Sequence, residues 1–164
     1  MRYNPGMALN SSGRVCVVGA GSSGIATCQV LHARGIPFDC FEKGSAVGGN
    51  WRYMNDNGMS SAYRSLFINT SRTLMEYATY PMPAELPDYP HHTQIARYFD
   101  DYVDHFGFRD RIRFGTEVAR VEPADAGERG QSGWRVALDD GTSRHYDVVF
   151  VANGHHWNPR LPEF

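Results

Sequence analysis

The sequence predicts an α/β fold in which helices cover a parallel sheet and a small antiparallel meander lies beside it. The apolar run from Arg14 to Val18 passes through a glycine-rich turn straight into a helical pattern, which is the order of a strand–turn–helix unit. A second apolar run, Phe38–Phe41, follows that helix, and a third, Asp147–Ala152, is continuous enough to form a central, buried strand. Three shorter stretches between positions 116 and 146 read as antiparallel strands. At 164 residues the chain is long enough for one such domain with a core of its own.

The first strand ends in the pattern G-x-G-x-x-G, which spans Gly19, Ala20, Gly21, Ser22, Ser23 and Gly24. In such a turn the first glycine permits the tight bend, the second lets the backbone approach a pyrophosphate, and the third lets the helix pack close to the strand. The negative charge of the ligand then lies against the free N–H groups and the positive dipole end of the helix. The pattern therefore predicts a Rossmann-like dinucleotide-binding unit.

An acidic residue follows where this kind of unit recognises a ribose. Helical spacing continues through the apolar positions Ile25, Cys28, Val30 and Leu31. Gly35 is placed to end that helix and Pro37 to close its exit. Glu42 stands at the end of the second strand, 18 positions after Gly24, where a carboxylate can accept from a ribose 2′-hydroxyl but would repel a 2′-phosphate. We therefore expect FAD or NAD rather than NADP in this site; the alternative is an ordinary βαβ unit with a solvated glutamate.

Two glycines precede a large aromatic residue in the segment Gly48-Gly49-Asn50-Trp51. This order predicts a backbone that passes very close to a flat group, with Trp51 as a wall; the alternative is a surface turn with a buried tryptophan. Asn55–Ser61 has the composition of a loop, and Tyr63–Ser71 is an apolar segment that ends in small polar residues. Four prolines between positions 81 and 90 then predict an extended excursion over the surface.

The second half of the chain predicts one long helix and the meander. Thr93 is a favourable N-cap, and Gly107 ends the amphipathic helix that follows. Its apolar positions, which we assign to the core, are Ile95, Tyr98, Phe99, Tyr102, Val103 and Phe106. Ile112–Phe114 predicts a short strand. The meander strands are Thr116–Glu122, Gly133–Leu138 and Ser143–Tyr146, with Pro123–Ser132 as an exposed loop between the first two.

Composition narrows the range of functions. The formal net charge is −2 and no strongly basic stretch is present, which argues against binding to nucleic acid. No apolar run approaches the roughly 18 residues of a membrane span, and residues 1–13 read as a flexible leader rather than a signal peptide. The three cysteines, at positions 16, 28 and 40, fall in separate apolar elements, which predicts buried free thiols and a reducing, cytoplasmic location. The histidine pairs His91-His92 and His155-His156 lack partners at ligand spacing, so we expect no metal site.

Taken together, these motifs resemble the flavin-containing monooxygenases. The resemblance runs from about Arg14 to Phe164 and rests on five motifs in order: Gly19-x-Gly21-x-x-Gly24, Phe41-Glu42-Lys43, Gly48-Gly49-Asn50-Trp51, Ser65-x-x-x-Asn69-Thr70-Ser71 and Val151-Ala152-Asn153-Gly154-His155. It implies that residues 14–164 form the FAD-binding domain of a flavoprotein with two dinucleotide-binding domains. Many relatives carry threonine before the glycine of the last motif, where this chain has Asn153; the change is mild because the backbone does most of the work.

The resemblance also assigns roles to individual residues. Gly19 to Gly24 would hold the FAD pyrophosphate, Glu42 the adenosine ribose and the backbone of Val118 the adenine. Asn50 and Trp51 match positions beside the flavin, and Asn69 matches the catalytic asparagine near its reactive edge, where an amide can support a C4a-peroxyflavin. The remaining FAD contacts expected from the same motifs are Lys43, Gly49, Thr70, Ala152 and Gly154.

The implied activity is that of an enzyme in which NADPH reduces FAD and dioxygen gives a C4a-hydroperoxyflavin that oxygenates a soft nitrogen or sulfur centre. The sequence contains one G-x-G-x-x-G, and the family's F-x-G-x-x-x-H fingerprint would begin only after Phe164. We therefore expect the chain to be the N-terminal part of a longer protein, without its NADPH domain, and by itself to be inactive and to retain FAD weakly or self-associate. The alternatives are a non-catalytic FAD-binding module, and part of a Baeyer–Villiger or N-hydroxylating monooxygenase.

Overall fold

The computed structural model describes residues 14–124 and 133–163. Within these residues there are seven strands: β1 (Val15–Val18), β2 (Phe38–Phe41), β3 (Ile112–Arg113), β4 (Val118–Ala124), β5 (Gly133–Leu138), β6 (Ser143–Tyr146) and β7 (Val148–Val151). The described part of the chain also contains the α-helices α1 (Ser22–Ala33), α2 (Arg72–Met75) and α3 (His92–Phe106), and short 3₁₀ helices cover Gly49–Trp51 and Arg109–Arg111.

The strands form two sheets, as predicted. The first is parallel, with the strand order β3-β2-β1-β7, and its register pairs Val15 with both Phe38 and Val148. The second is the antiparallel meander β4-β5-β6. This arrangement confirms the predicted α/β fold class. Strand β4 continues to Ala124, and the rest of the predicted 123–132 loop lies outside the described residues.

The parallel sheet is covered on both faces, and β1 shows how. Val15 and Val17 pack into one hydrophobic cluster with residues of α1 and α3. Cys16 packs on the opposite face, in a second cluster with side chains of the meander. A polar contact joins the same layers, since the Tyr146 hydroxyl donates to Asp39 Oδ2 at 2.7 Å. Burial raises the pKa of Tyr146 well above its ordinary value, so the hydroxyl stays a donor.

The helices depart from the sequence prediction at two positions. Val30 is 44% exposed, because it lies on the side of α1 away from the buried residues Ile25, Cys28 and Leu31. Thr93 is not the N-cap of α3; the helix begins at His92, and His91 is the cap. The His91 ring accepts from the Thr93 N–H at 3.4 Å while the Gln94 side chain accepts from the His91 N–H at 2.9 Å.

Most of the other helix predictions are confirmed, although Phe106, which we assign to the core from the sequence, is only partly buried. Gly35 follows α1 with a φ of 64°, and Gly107 ends α3 with a φ of 72° in the left-handed region. Tyr98, Phe99 and Tyr102 are buried, as expected of core aromatics. All three cysteines are free and buried. None of the helices within residues 14–124 and 133–163 has the length and apolar character needed to cross a membrane.

Strand β7 is not the central, buried strand that its apolar sequence predicts. It lies at the edge of the described sheet and pairs with β1 alone. Phe150 is therefore 43% exposed and Val151 is 65% exposed. A continuous apolar run indicates that a strand is apolar on both faces, but it does not identify the neighbours that cover them.

Candidate nucleotide-binding site

The carboxyl ends of β1, β2 and β7 open into a cleft of about 780 Å³. Most of the predicted cofactor residues line it, namely Gly19, Gly21, Ser22, Ser23, Glu42, Lys43, Gly49, Asn50, Trp51, Val118, Ala152 and Gly154. Their convergence from five separate stretches of sequence places the candidate site where parallel α/β sheets bind ligands.

Glycine is present at the three positions of the motif for different structural reasons. Gly19 has a φ of 94°, and a Cβ there would lie 2.6 Å from the Ala152 carbonyl oxygen. A Cβ on Gly24 would lie 1.9 Å from the Gly19 oxygen, so strand and helix pack too closely for any side chain. Gly21 has an ordinary φ of −74°, and its added Cβ would meet nothing nearer than Gly49 Cα at 3.7 Å. Folding therefore explains Gly19 and Gly24 but not Gly21, whose bare backbone faces the cleft.

Helix α1 offers its N-terminus to the cleft. Gly21 is the N-cap, and no side chain in the described part of the chain caps it. Its first turn carries no acidic residue. The leading N–H groups and the positive end of the helix dipole are thus suited to an anion. The Tyr77 hydroxyl donates to the Ser22 carbonyl oxygen at 2.6 Å, a contact that fixes this turn and that the sequence did not predict.

Glu42 lies against the cleft with its carboxylate held from both sides. It is only 4% exposed. Its Oε2 accepts from the Ala20 N–H at 2.7 Å, and its Oε1 accepts from the Gly44 N–H at 2.7 Å. Ala20 itself does not line the cleft; its N–H orients the carboxylate that does. Because an ionised carboxyl has about four acceptor positions, Glu42 keeps capacity for donors on a ligand.

Two further residues near Glu42 complete this end of the cleft. Asn57 lines the cleft, and its amide nitrogen lies 3.4 Å from Glu42 Oε1, a position that its place in a loop did not predict. Lys43 pairs with Glu117 at 2.9 Å, so its charge is neutralised at the start of the meander. The Thr116 N–H donates to the Glu42 carbonyl oxygen at 3.0 Å and ties that start to the end of β2.

The Gly48–Trp51 turn is brought to the glycine motif by the backbone. The Gly48 N–H donates to the Ala20 carbonyl oxygen at 3.0 Å. Gly49 has a φ of 52°, and a Cβ there would lie 3.1 Å from Gly21 Cα. These glycines therefore allow a close approach between two backbone segments, and the predicted approach to a flat group stays a prediction. Trp51 lines the cleft and also packs against the main core.

Asn69 and Thr70 are exposed and are not part of the lining of this cleft. Their segment is attached to the start of α3: the Ile68 N–H donates to the Pro90 oxygen at 3.0 Å, and the His92 N–H donates to the Leu66 oxygen at 2.9 Å. The predicted roles of Asn69 and Thr70 beside a flavin stay predictions. Within the described residues, no group of three or more His, Cys, Asp or Glu side chains is arranged to hold a metal ion.

Comparison with known proteins agrees with this geometry. The flavin-binding monooxygenase-like family profile matches residues 12–164. The chain belongs to this family. Flavin-containing monooxygenase 5 of Rattus norvegicus is 36% identical over 155 residues, which are 91% of this chain and 29% of that protein.

Two solved structures of monooxygenases have the same fold. The S-allyl-L-cysteine S-oxygenase of Allium sativum is 28% identical with a TM-score of 0.77, over 92% of this chain and 38% of that one. The closed structure of cyclohexanone monooxygenase is 26% identical with a TM-score of 0.74, over 92% of this chain and 27% of that one. The chain thus spans less than a third of the length of the rat relative.

Proposed function

We propose that this chain is the FAD-binding part of an NADPH-dependent flavin monooxygenase, and that the whole protein oxygenates soft nitrogen or sulfur centres. Residues 14–164 would then be one of two dinucleotide-binding domains. Membership of the flavin-binding monooxygenase-like family supports the reaction class. The length of the rat relative supports the division into domains, because this chain corresponds to 29% of it.

The observation that carries the proposal is Gly21. Its backbone is bare toward the cleft although neither its φ nor a neighbouring atom requires glycine. A pyrophosphate bound at the N-terminus of α1 would explain why this residue is glycine, because any side chain there would lie between the phosphate and the N–H groups. The residues present therefore fit the dinucleotide.

Glu42 decides which dinucleotide fits. Held by the Ala20 and Gly44 N–H groups, the carboxylate can accept from the ribose hydroxyls of FAD without reorganising. A 2′-phosphate at that place would set two anions against each other in a largely buried site. NADPH is accordingly assigned to another part of the longer protein, and FAD to this cleft.

The chain's own contribution to catalysis is binding, orientation and exclusion of water. The bound flavin, once reduced, supplies the chemistry that activates dioxygen. Gly21 to Ser23 and Glu42 would fix the adenosine diphosphate half, and Asn50 and Trp51 would border the flavin half. Asn69 would donate a hydrogen bond from its uncharged amide toward negative charge that develops near the flavin. Val118, Lys43, Gly49, Thr70, Ala152 and Gly154 complete the proposed cofactor contacts, and the cytoplasm is the proposed location.

The experiment uses the full-length protein, purified with FAD. NADPH oxidation and oxygenated product are measured with an alkyl sulfide, a tertiary amine and a cyclic ketone. Sulfoxide or N-oxide formed in proportion to the NADPH consumed is the expected result. If the main product were an ester formed from the ketone, the protein would be a Baeyer–Villiger monooxygenase. Flavin binding without any oxygenation would favour a non-catalytic FAD-binding module.

A further inference from the structure

Trp157 is a large aromatic residue in the cleft for which the family resemblance gave no role. It lines the cleft beside Gly154, beyond the end of β7, and 42% of its surface is exposed. Gly154 turns the chain with a φ of 76°, and Trp157 Nε1 donates to the Gly154 carbonyl oxygen at 3.3 Å. The indole N–H is therefore satisfied within the loop, while the ring borders the space that the ligand would fill.

The two ends of the cleft can be told apart by the layers around it. Gly49 lies against Gly21, and Trp51 of the same short 3₁₀ helix packs against the cluster formed with α1 and α3. The meander lies on the opposite face of the sheet, where β5 contacts β7. Its first strand brings Val118 into the cleft on the side of Glu42.

We propose that Trp157 stacks on the adenine ring of the bound dinucleotide, opposite Val118. The inference rests on the proposed FAD site, since it takes Glu42 as the ribose contact. A base beyond that ribose would lie between the start of β4 and the segment that leaves β7. His155, His156 and Trp157 of that segment all line the cleft, and the indole of Trp157 offers the largest flat surface of the three. Stacking of a base on an aromatic side chain tolerates different sequence surroundings and does not need a further hydrogen bond.

The test compares Trp157→Ala with Trp157→Phe, and with Trp134→Phe as the matched control. Trp134 is a half-exposed tryptophan on β5 that does not line the cleft. The probes are ADP, which contains the adenine and pyrophosphate without the flavin, and riboflavin 5′-phosphate, which contains the flavin without the adenine. Binding is followed by calorimetry with the full-length protein freed of its flavin, and the loss of indole fluorescence quenching in each variant reports which of these two tryptophans each probe contacts.

We expect Trp157→Ala to weaken ADP binding by about 5-fold to 150-fold and Trp157→Phe to retain most of it, because phenylalanine keeps an aromatic face. Quenching of indole fluorescence by ADP should be largely lost in Trp157→Phe and preserved in Trp134→Phe. Unchanged ADP affinity in Trp157→Ala would overturn the inference while leaving the FAD site standing. Weakened binding of riboflavin 5′-phosphate but not ADP would also overturn it, by moving Trp157 to the flavin. A wild-type full-length protein that binds neither ADP nor FAD would overturn the proposed function itself.

Discussion

Replacing Gly21 and Gly24 in turn should separate ligand binding from folding within one motif. A Cβ on Gly24 would lie 1.9 Å from the Gly19 oxygen and 2.9 Å from its carbonyl carbon, both of them backbone atoms. Overpacking of this kind typically costs 1–3 kcal/mol, and a backbone clash this short belongs at the upper end, so we expect Gly24→Ala to lose about 3 kcal/mol. For a domain of this size that corresponds to a fall in Tm of roughly 6–12 °C.

Gly21→Ala should behave in the opposite way. Its Cβ would make only an ordinary contact at 3.7 Å, and its φ of −74° suits alanine. The change in folding free energy should stay within about 1 kcal/mol, and a slight gain is expected because alanine restricts the unfolded chain. FAD affinity should fall by at least about 10-fold, since the methyl group obstructs one charge-assisted hydrogen bond of about 1.5–3 kcal/mol. Gly21→Val, with a branched side chain, should abolish binding.

The assay pairs thermal unfolding of the ligand-free chain with FAD titration by flavin fluorescence. The expected pattern is a normal Tm with weakened FAD binding for Gly21→Ala, a loss of FAD binding for Gly21→Val, and a lowered Tm for Gly24→Ala. FAD binding by Gly21→Val at wild-type affinity would refute the placement of the pyrophosphate. A Tm fall in Gly21→Ala as large as that in Gly24→Ala would show instead that Gly21 is a folding requirement.

Four further predictions follow from the site and the core. Glu42→Gln should weaken FAD binding by about 10-fold or more, because one hydrogen bond to a charged group is lost. The variant should also show a smaller preference for ADP over 2′-phospho-ADP. An unchanged preference would show that Glu42 does not contact the ribose. In the full-length enzyme, the Asn69→Asp variant should release hydrogen peroxide in place of oxygenated product. If product formation stayed coupled to NADPH consumption as in the wild type, the role of Asn69 would be structural. Burial raises the pKa of the Cys16 thiol to about 12. The free energy of unfolding therefore includes the full contribution of this protonated thiol below about pH 8.5, and that contribution is lost as the pH rises toward 12. The thiol of the native protein should resist a disulfide reagent at about pH 8 and should react after denaturation. The FAD-loaded 164-residue chain should not be bleached by NADPH under anaerobic conditions, because hydride transfer needs the nicotinamide held against the flavin; rapid, saturable bleaching would place a nicotinamide site in this chain.

Local sequence was sufficient where the geometry of a position accepts only one or two residue types. The positions of Gly19 and Gly24 follow from the shape of a strand-to-helix turn. The position of Glu42 at the end of β2 follows from its spacing of 18 residues after Gly24. Strand β2 has the bounds that its apolar run predicts. These features depend on neighbours within one βαβ unit, so their geometry is encoded locally.

Features that depend on distant neighbours could not be obtained in this way. Gly49 has a positive φ and leaves little room for a side chain, because Gly21 lies against its Cα, a contact across 28 positions of sequence. The N-cap of α3 is His91 rather than Thr93, because the His91 ring accepts a hydrogen bond from a backbone N–H. Capping propensities assign this role to smaller side chains. Asn57 reaches Glu42 from a loop whose path the composition leaves open.

The exposure of β7 illustrates the same limit at the level of the sheet. Phe150 and Val151 form an apolar strand that pairs on one side only within the described residues. Sequence hydrophobicity measures how much apolar surface a strand carries, while its position in the sheet depends on which segments pair with it.

The central claim is that the cleft at the end of β1 binds FAD, and a direct titration tests it. The purified full-length protein, freed of its flavin, is mixed with increasing FAD, and the visible absorption spectrum and the quenching of flavin fluorescence are recorded beside its Gly21→Val variant. A saturable change with one FAD per chain, absent from Gly21→Val, is the predicted result. The same weak, unsaturable response in both proteins would contradict the account.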